Sequence, residues 1–342
     1  MRKHLILPIA LFTFFVANAQ LTATEWYNSG INFKTAKNYK AAVDAFKKAI
    51  EKDTQYFDAW YELGWCQNEL KDYSNAIVSL TRADQIKPGY AKVNFEIAYA
   101  NEKKEHYYDA INYYRICTGL SASYAEAWYR KGWCENQVEL YDSAYTSCTR
   151  AIQINDDYRE AYDELGYATY KLKRNEESLA AYRKSVELDP EKSSGYFGIA
   201  DVYKSNYQNC DSAIIYYLKA FEKNPTNVKG PYNAGWCYND KGAYATGVIY
   251  LTKALEIDPQ YNNARAEMGY SYLQLKKYDE ALGQLIQVIN NSPKDELCRY
   301  YAGLCYYYKN DQLKLKQIIE QLQAINSDTA LKYADTLKKY VK

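Results

Sequence analysis

Tryptophan, cysteine and asparagine recur together in three short segments of this 342-residue chain. The segments read GWCQN from Gly64, GWCEN from Gly132 and GWCYN from Gly235. An indole offers a flat face for stacking, and an asparagine amide offers both a hydrogen-bond donor and an acceptor. This pair of groups suits the recognition of a peptide or a sugar chain, whereas the thiol raises the question of disulfide or metal chemistry.

The eight cysteines form no recognisable metal-binding or disulfide framework. No C-x-x-C motif occurs, and His106 is the one histidine beyond the first 19 residues, which argues against a zinc site and predicts no bound metal. The cysteines of the GWCxN segments are interpreted as small buried apolar residues. Disulfide bonding is considered only for Cys117 with Cys134 or Cys148, which lie on adjacent predicted helices.

Catalytic motifs are also missing from the sequence. A serine or cysteine nucleophile needs a nearby base, and His106 lies in a predicted turn without a recognisable triad. No glycine-rich loop follows a strand, because no strand is expected. The sequence therefore predicts a protein that is not an enzyme and has no cofactor.

The amino-terminal residues have the pattern of a secretory signal peptide over 1–19. Arg2 and Lys3 precede an apolar run from Leu5 to Val16, and Ala17-Asn18-Ala19 provides a cleavage site of the A-x-A type. No cysteine follows for a lipid anchor, and no later stretch is apolar enough to span a bilayer. We expect an exported protein, periplasmic or secreted, that does not insert into a membrane.

Charge excludes polyanionic partners. The chain has 43 basic and 42 acidic residues, and removal of Arg2 and Lys3 with the signal peptide leaves the mature chain near neutrality. Nucleic acids and anionic membrane surfaces attract proteins through a basic excess. The sequence therefore predicts a partner of another class.

A period of 34 residues organises the whole sequence. One small residue recurs at this spacing, except for a single interval of 35 between the sixth and seventh copies, and we call these residues the hubs: Gly30, Gly64, Ala98, Gly132, Gly166, Ala200, Gly235, Gly269 and Gly303. A period of this length is typical of repeat proteins. The extra residue is expected in the turn near Cys210, because loops tolerate added length.

Each repeat has the apolar pattern of two helices. Aromatic residues such as Trp60 and Trp128 stand four positions before a hub, and a second helix carries small and large apolar residues in the order Ala42, Phe46 and Ala49. Proline ends several second helices, as at Pro88, because it cannot donate the next helical hydrogen bond. The sequence therefore predicts an all-α fold.

The aromatic residue, the hub, the alanines and the terminal proline together resemble the tetratricopeptide repeat from about Ala23 to Pro293, with a degenerate ninth copy to Ile325. The resemblance implies a right-handed α-solenoid of about nine 34-residue helix-turn-helix repeats whose first helices line a concave groove. The repeats lie near residues 23–56, 57–90, 91–124, 125–158, 159–192, 193–227, 228–261, 262–295 and 296–325. Residues 326–342 carry an apolar stripe of Leu331, Ala334, Leu337 and Val341 that predicts a terminal capping helix.

A second face of each first helix contains the residue after the hub, and the resemblance implies that this face lines the groove. Tryptophan at that position departs from the family, which commonly has a polar residue there. The predicted ligand-binding residues are Tyr61, Trp65, Asn68, Phe95, Tyr99, Tyr129, Trp133, Asn136, Tyr167, Tyr170, Tyr232, Trp236, Asn239 and Tyr270. The alternative is that these aromatic residues only pack against one another and stiffen the solenoid.

Two functions remain open from the sequence. The first is a binding module that holds an extended peptide or protein segment, or a glycan, in the aromatic groove and mediates protein–protein interaction in the cell envelope. The second is a scaffold or assembly factor of an envelope complex that acts through its convex face and its ends. Replacing the groove tryptophans should abolish partner capture in the first and leave it unchanged in the second.

Overall fold

The computed structural model describes residues 21–341, and in this part of the chain every regular element is a helix. The all-α prediction is thus confirmed there. The predicted signal peptide lies outside the described residues. No helix within 21–341 is long and apolar enough to cross a membrane. The chain divides into two compact units, one ending at Ala122 and one beginning at Ser123.

The first unit contains three pairs of helices among its described residues. They are α1 Ala23–Thr35, α2 Tyr39–Lys52, α3 Phe57–Glu69, α4 Tyr73–Ile86, α5 Ala91–Lys103 and α6 Tyr107–Leu120. Each helix packs against the next one along the chain. The short connections make neighbouring helices antiparallel.

The second unit continues the same arrangement up to residue 341. In chain order its first six helices are α7 Ala125–Gln137, α8 Tyr141–Ile154, α9 Arg159–Lys171, α10 Asn175–Leu188, α11 Ser193–Asp201 and α12 Cys210–Lys223. They are followed by α13 Lys229–Asp240, α14 Tyr244–Ile257, α15 Asn262–Gln274, α16 Tyr278–Asn291, α17 Glu296–Tyr308, α18 Gln312–Ile325 and α19 Asp328–Lys338. As in the first unit, consecutive helices pack against each other.

The hubs are small because the two helices of a repeat make their closest contact there. A Cβ atom built on Gly64 would lie 2.5 Å from Cγ of Leu80, and one built on Gly132 would lie 2.5 Å from Sγ of Cys148. Both distances are far below a van der Waals contact. The repeated small residue therefore sets the spacing of each helix pair.

The prediction that the extra residue lies in the turn near Cys210 is wrong. Helix α11 instead passes directly into a π-helical turn, Val202–Asn206, before the hairpin to α12 begins. A π-helical turn adds one residue to a helix without breaking it, and such turns are frequent at functional sites. The turn places Lys204 and Ser205 beside Trp236.

Hydrogen bonds locate this extra residue. In an ordinary repeat the amide of Asp72 donates to the carbonyl of Gln67, five residues earlier, whereas the equivalent amide of Asn209 donates to Tyr203, six residues earlier. Gln208, the hairpin residue with positive φ, lies eight positions after its hub, while Lys71 lies seven after Gly64. The hairpin itself therefore keeps its usual length.

Helix α19 covers one side of α17 and α18 at the end of the chain. Ala330, Ala334 and Leu337 are buried there, whereas Leu331 is exposed and Val341 is half-buried. The predicted apolar stripe is therefore wrong at Leu331, because the buried face begins one residue earlier at Ala330. Leu337 is fully buried and occupies the space where a Cβ atom on Gly303 would lie.

Deleting residues 326–342 should lower the soluble yield and the melting temperature, because α17 and α18 would lose the side chains that cover them. Replacing the buried Leu337 by aspartate should act in the same direction, since a charge would be placed in an apolar contact. The exposed Leu331→Asp is the matched control and should change little. An unchanged melting curve after the deletion would show that α19 is not a cap.

Candidate functional site

The predicted site residues fall into two groups by burial. Five of the fourteen, Tyr61, Trp65, Asn68, Phe95 and Tyr99, belong to the first unit and the others to the second. The half-buried ones are Tyr61, Trp65, Tyr99, Tyr129, Trp133, Tyr167, Tyr170, Tyr232, Trp236 and Tyr270. The buried ones are Asn68, Phe95, Asn136 and Asn239. Only the half-buried group has side-chain surface that a ligand could contact.

Among the predicted site tryptophans, Trp65 and Trp236 each have a lysine ammonium over the ring. The Nζ atom of Lys34 lies 4.0 Å from the ring centroid of Trp65, and that of Lys204 lies 4.1 Å from the centroid of Trp236. Both lysines come from the preceding repeat, four residues after its hub. Because an ammonium is attracted to the electron-rich face of an indole, each contact also links two repeats.

The aromatic residue that follows a hub usually packs edge-on against a tyrosine at the start of the previous repeat's second helix. The ring centroids lie 5.7 to 6.5 Å apart in four such pairs: Tyr39 with Trp65, Tyr73 with Tyr99, Tyr141 with Tyr167 and Tyr244 with Tyr270. Edge-to-face geometry at this separation is favourable. These rings therefore hold consecutive repeats together in addition to lining a surface.

Another set of tyrosines connects consecutive first helices. Tyr129 packs against Tyr158 at 5.0 Å between centroids, and Tyr232 packs against Tyr261 at 5.1 Å. Burial, with a smaller effect of the Glu267 carboxylate, raises the pKa of Tyr232 to about 12. The phenol of Tyr232 consequently stays protonated and can donate a hydrogen bond at neutral pH.

The three asparagines of the GWCxN segments use their amide donors within the protein, which corrects the prediction that they address a ligand. Asn136 is buried, and its Nδ2 atom donates to the Glu164 carbonyl at 3.1 Å and to Glu164 Oε2 at 2.8 Å. Asn68 makes the same pair of bonds to Glu96, and Asn239 to Glu267. Each amide fastens its repeat to the next one and has no donor left for a ligand.

Phe95 is likewise a packing residue and not a surface one. Its side chain is buried, and its ring lies 5.7 Å from that of Tyr114, which is fully buried. The prediction that Phe95 contacts a ligand is therefore wrong, because the ring turns into the contact between α5 and α6.

The hydrogen-bond partner of the amide oxygen Oδ1 differs among the three asparagines of the GWCxN segments. Asn239 Oδ1 accepts a hydrogen bond from Ser271 Oγ at 2.7 Å. Asn68 Oδ1 and Asn136 Oδ1 are buried without a partner in the described part of the chain. The position of Ser271, two residues after a hub, holds Ala168 in the second copy, so that the missing partner follows directly from the sequence.

Ser271→Ala should lower the free energy of unfolding by about 1–2 kcal/mol, because the buried oxygen of Asn239 would lose its donor. Ala168→Ser should raise the free energy of unfolding, since the new hydroxyl can donate to Asn136 Oδ1. Urea denaturation of both variants measures the two changes. A destabilising Ala168→Ser together with a neutral Ser271→Ala would contradict this assignment.

Burial also changes the pKa of Glu164, the carboxyl group that accepts the hydrogen bond from Asn136. It raises the pKa of Glu164 from an ordinary 4.5 to about 7, because the bond from Asn136 only partly replaces the lost hydration of the carboxylate. Between these two pH values the folded protein binds more protons than the unfolded chain does. The contribution of Glu164 to the free energy of unfolding therefore falls as the pH rises from 4.5 to about 7, and it stays constant at higher pH.

We expect this contribution to decrease by about 1–3 kcal/mol between pH 4.5 and pH 7.5. Glu164→Gln keeps the acceptor for Asn136 and removes the titrating group. Denaturation midpoints of both proteins across that pH range isolate the effect, because other carboxyl groups cancel in the difference. A constant difference between wild type and variant at all pH values would disprove the raised pKa.

Two positions around Trp236 that hold tyrosine in other repeats hold small residues. The start of α12 is Cys210, whereas Tyr39 and Tyr141 occupy that position in other repeats. Three residues before the hub of α15 stands Ala266, at the position of Tyr129 and Tyr232. Because two aromatic rings are replaced by small side chains, a cavity lies on each side of Trp236, with volumes of about 320 and 360 Å³.

The two cavities carry different charges. The larger one is lined by Lys204, Ser205, Gln208 and Asp240 together with Cys210 and Trp236. The other is lined by Asp240, Glu267 and three tyrosines, Tyr244, Tyr270 and Tyr301, beside Trp236. Burial raises the pKa of Glu267 above its ordinary value. Of the residues that line these two cavities, the sequence predicted Trp236, Asn239 and Tyr270 as ligand contacts.

Thiol and metal chemistry find no support in the described residues. All eight cysteines, including Cys117, Cys134 and Cys148, are buried free thiols. Burial raises the pKa of Cys66 to about 12, which keeps this thiol protonated and unreactive. Across residues 21–341 no cluster of histidine, cysteine and acidic side chains could hold a metal ion.

Comparison with known proteins identifies the repeats. Family models described as tetratricopeptide repeat match residues 27–91, 160–192, 232–261 and 267–295. The chain is also similar to Hsp70-Hsp90 organizing protein 3 of Arabidopsis thaliana, with 26% identity over 111 residues. That match covers 32% of this chain and 18% of the relative, so the chain corresponds to a small part of it.

Solved structures share the fold. A tetratricopeptide repeat protein from Parabacteroides merdae superposes with a TM-score of 0.55 and 16% identity, covering 73% of this chain and 98% of the other. The Cut9–Hcn1 hetero-tetramer of APC/C gives a TM-score of 0.53 and 14% identity, covering 94% and 76%. These similarities support an α-solenoid. The matches to the family models show that the chain carries tetratricopeptide repeats, as its 34-residue sequence period predicts.

Proposed function

We propose that this protein is a non-enzymatic binding module that holds an extended segment of a partner protein against the first helices of its repeats. The observation that carries the proposal is the pair of cavities beside Trp236, where aromatic walls and charged groups stand together. A concave site with apolar walls and a few polar groups is the usual form of a ligand site.

The relatives support a partner that is itself a protein. The Arabidopsis thaliana relative, which is similar to this chain over 111 residues, is named an organizing protein of Hsp70 and Hsp90. We extend this only to the class of partner, a protein segment. Export by the signal pattern at residues 1–19 would place the interaction in the cell envelope, in the periplasm or outside the cell.

A scaffold that acts through its convex face is the second candidate, and one observation favours it. Val78, Ile215 and Ile249 stand at equivalent positions on α4, α12 and α14, and each is more than half exposed. Exposed apolar side chains repeated in register are a feature of docking surfaces. A glycan remains the other candidate ligand for the groove, since sugars also stack on tryptophan.

A crosslinked pull-down from the native envelope fraction distinguishes these functions. The bait proteins are the wild type and a variant in which Trp65, Trp133 and Trp236 are all replaced by alanine. If the groove binds the partner, the variant should remain folded by circular dichroism and lose the proteins that the wild type captures. A folded variant that captures the same set would support the scaffold and overturn the groove. Captured carbohydrate without protein would identify a glycan ligand.

A further inference from the structure

The smaller cavity beside Trp236 has walls made of aromatic rings. Tyr244 and Tyr270 meet edge-on with centroids 5.9 Å apart, and Tyr270 lies 5.1 Å from Tyr301. Trp236 contributes a further wall. The faces of such rings are electron-rich, and several of them around one space attract a cation.

The carboxylates of this cavity form no direct ion pair among the described residues, although the Lys204 ammonium of the neighbouring cavity acts on Glu267 from farther away. Glu267 accepts a hydrogen bond from Asn239 at 3.1 Å, and Asp240 accepts a weak one from the Cys210 thiol at 3.5 Å. Neither forms an ion pair with any residue in the described part of the chain. No lysine or arginine lines the cavity, and the nearest ammonium, that of Lys204, lines the neighbouring cavity. A half-buried carboxylate such as Glu267 is stabilised when a cation lies beside it.

A cavity in the same register three repeats earlier has the same chemistry. Asp163, Glu164 and Asp201 line it together with the rings of Tyr167 and Phe197, and again no basic side chain does. Glu164 and Tyr167 are the equivalents of Glu267 and Tyr270. Here Asp163 already pairs with Arg159, whereas neither carboxylate of the cavity beside Trp236 has an ion pair among the described residues.

We infer that the cavity formed by Trp236, Asp240, Tyr244, Glu267, Tyr270 and Tyr301 binds a lysine or arginine side chain of the partner protein. The inference rests on the proposed function, because the basic side chain has to belong to a bound segment. The aromatic rings would surround the methylene groups and the cation, and the two carboxylates would neutralise its charge.

The test is a selection of peptides from a random displayed library on the immobilised full chain, followed by affinity measurements by isothermal titration calorimetry. Selected peptides should share one lysine or arginine position. Replacing that residue by norleucine, which keeps the methylenes and removes the charge, should weaken binding roughly 10- to 100-fold.

Protein variants provide the matching control. The double change Glu267→Gln and Asp240→Asn should weaken the same peptide to a similar extent and leave the norleucine peptide unaffected. Glu256→Gln with Glu280→Gln removes the same charge from exposed positions on α14 and α16 and should have little effect. Peptides selected without a shared basic residue would overturn the inference and leave the proposed function standing. Failure to select any peptide would overturn both.

Discussion

Gly132→Leu should destabilise the second unit by about 3 kcal/mol or more, the largest effect expected for a single substitution in this chain. The hub packs directly on α8, where a Cβ atom would lie 2.5 Å from Cys148 Sγ, 3.3 Å from the Cys148 amide nitrogen and 3.4 Å from the Ala144 carbonyl oxygen. Two of these neighbours are backbone atoms, which cannot rotate away. The helices of the repeat would have to separate.

Urea denaturation followed by circular dichroism measures this change, and another glycine provides the control. Gly283 lies on an exposed face of α16, with nothing within 4 Å of the position of a Cβ atom. Gly283→Ala should therefore stabilise the protein by about 0.5–1 kcal/mol through helix propensity alone. Equal stability losses for the two variants would show that the hub contact does not determine the effect.

Trp236→Ala should weaken the binding of the partner segment by about 1–3 kcal/mol while lowering the free energy of unfolding by about 1 kcal/mol. The indole lines both cavities, and Cys210 occupies the place of the tyrosine that packs edge-on against Trp65. Loss of the indole would remove a wall from both cavities and release Lys204. Calorimetric titration and denaturation of the same preparation separate the two effects.

Trp65→Ala is the matched comparison, because Trp65 stands at the same position of its repeat but has Tyr39 on its edge and Lys34 over its face. This variant should lose about 1–3 kcal/mol of stability through lost packing and retain most of its affinity. If Trp65→Ala weakened binding as much as Trp236→Ala did, the three tryptophans would act as one extended surface and the cavities would have no special role.

The repeat period predicts most of the fold because its cause is local. A small hub and apolar positions at helical spacing determine a helix pair, and this pattern recurs from Gly30 to Gly303. The sequence period showed that one residue is added after Ala200, but its predicted position in the turn near Cys210 was wrong. A turn and a π-helical turn both accommodate it, and their difference in energy depends on the packing around Val202, which is fully buried.

The site is harder to predict because its contacts join residues of different repeats. Asparagine on a half-exposed helix face looks like a ligand contact, and the sequence does not show that the carboxylate 28 residues later accepts from it. That spacing is the same in all three copies and could have indicated a structural pair. Cys210 and Ala266 were also visible in the register as small residues at tyrosine positions, and they mark the cavities.

Photocrosslinking from two positions of the full chain distinguishes a partner bound at the groove from one bound at the convex face. A benzophenone amino acid at Ser205, which is exposed and lines the larger cavity, reports on the groove, and the same residue at Ile249, on the outer side of α14, reports on the convex face. We predict that the partner protein from an envelope extract is crosslinked from Ser205 and not from Ile249. Crosslinking from Ile249 alone would contradict binding at the groove and assign the interaction to the convex face.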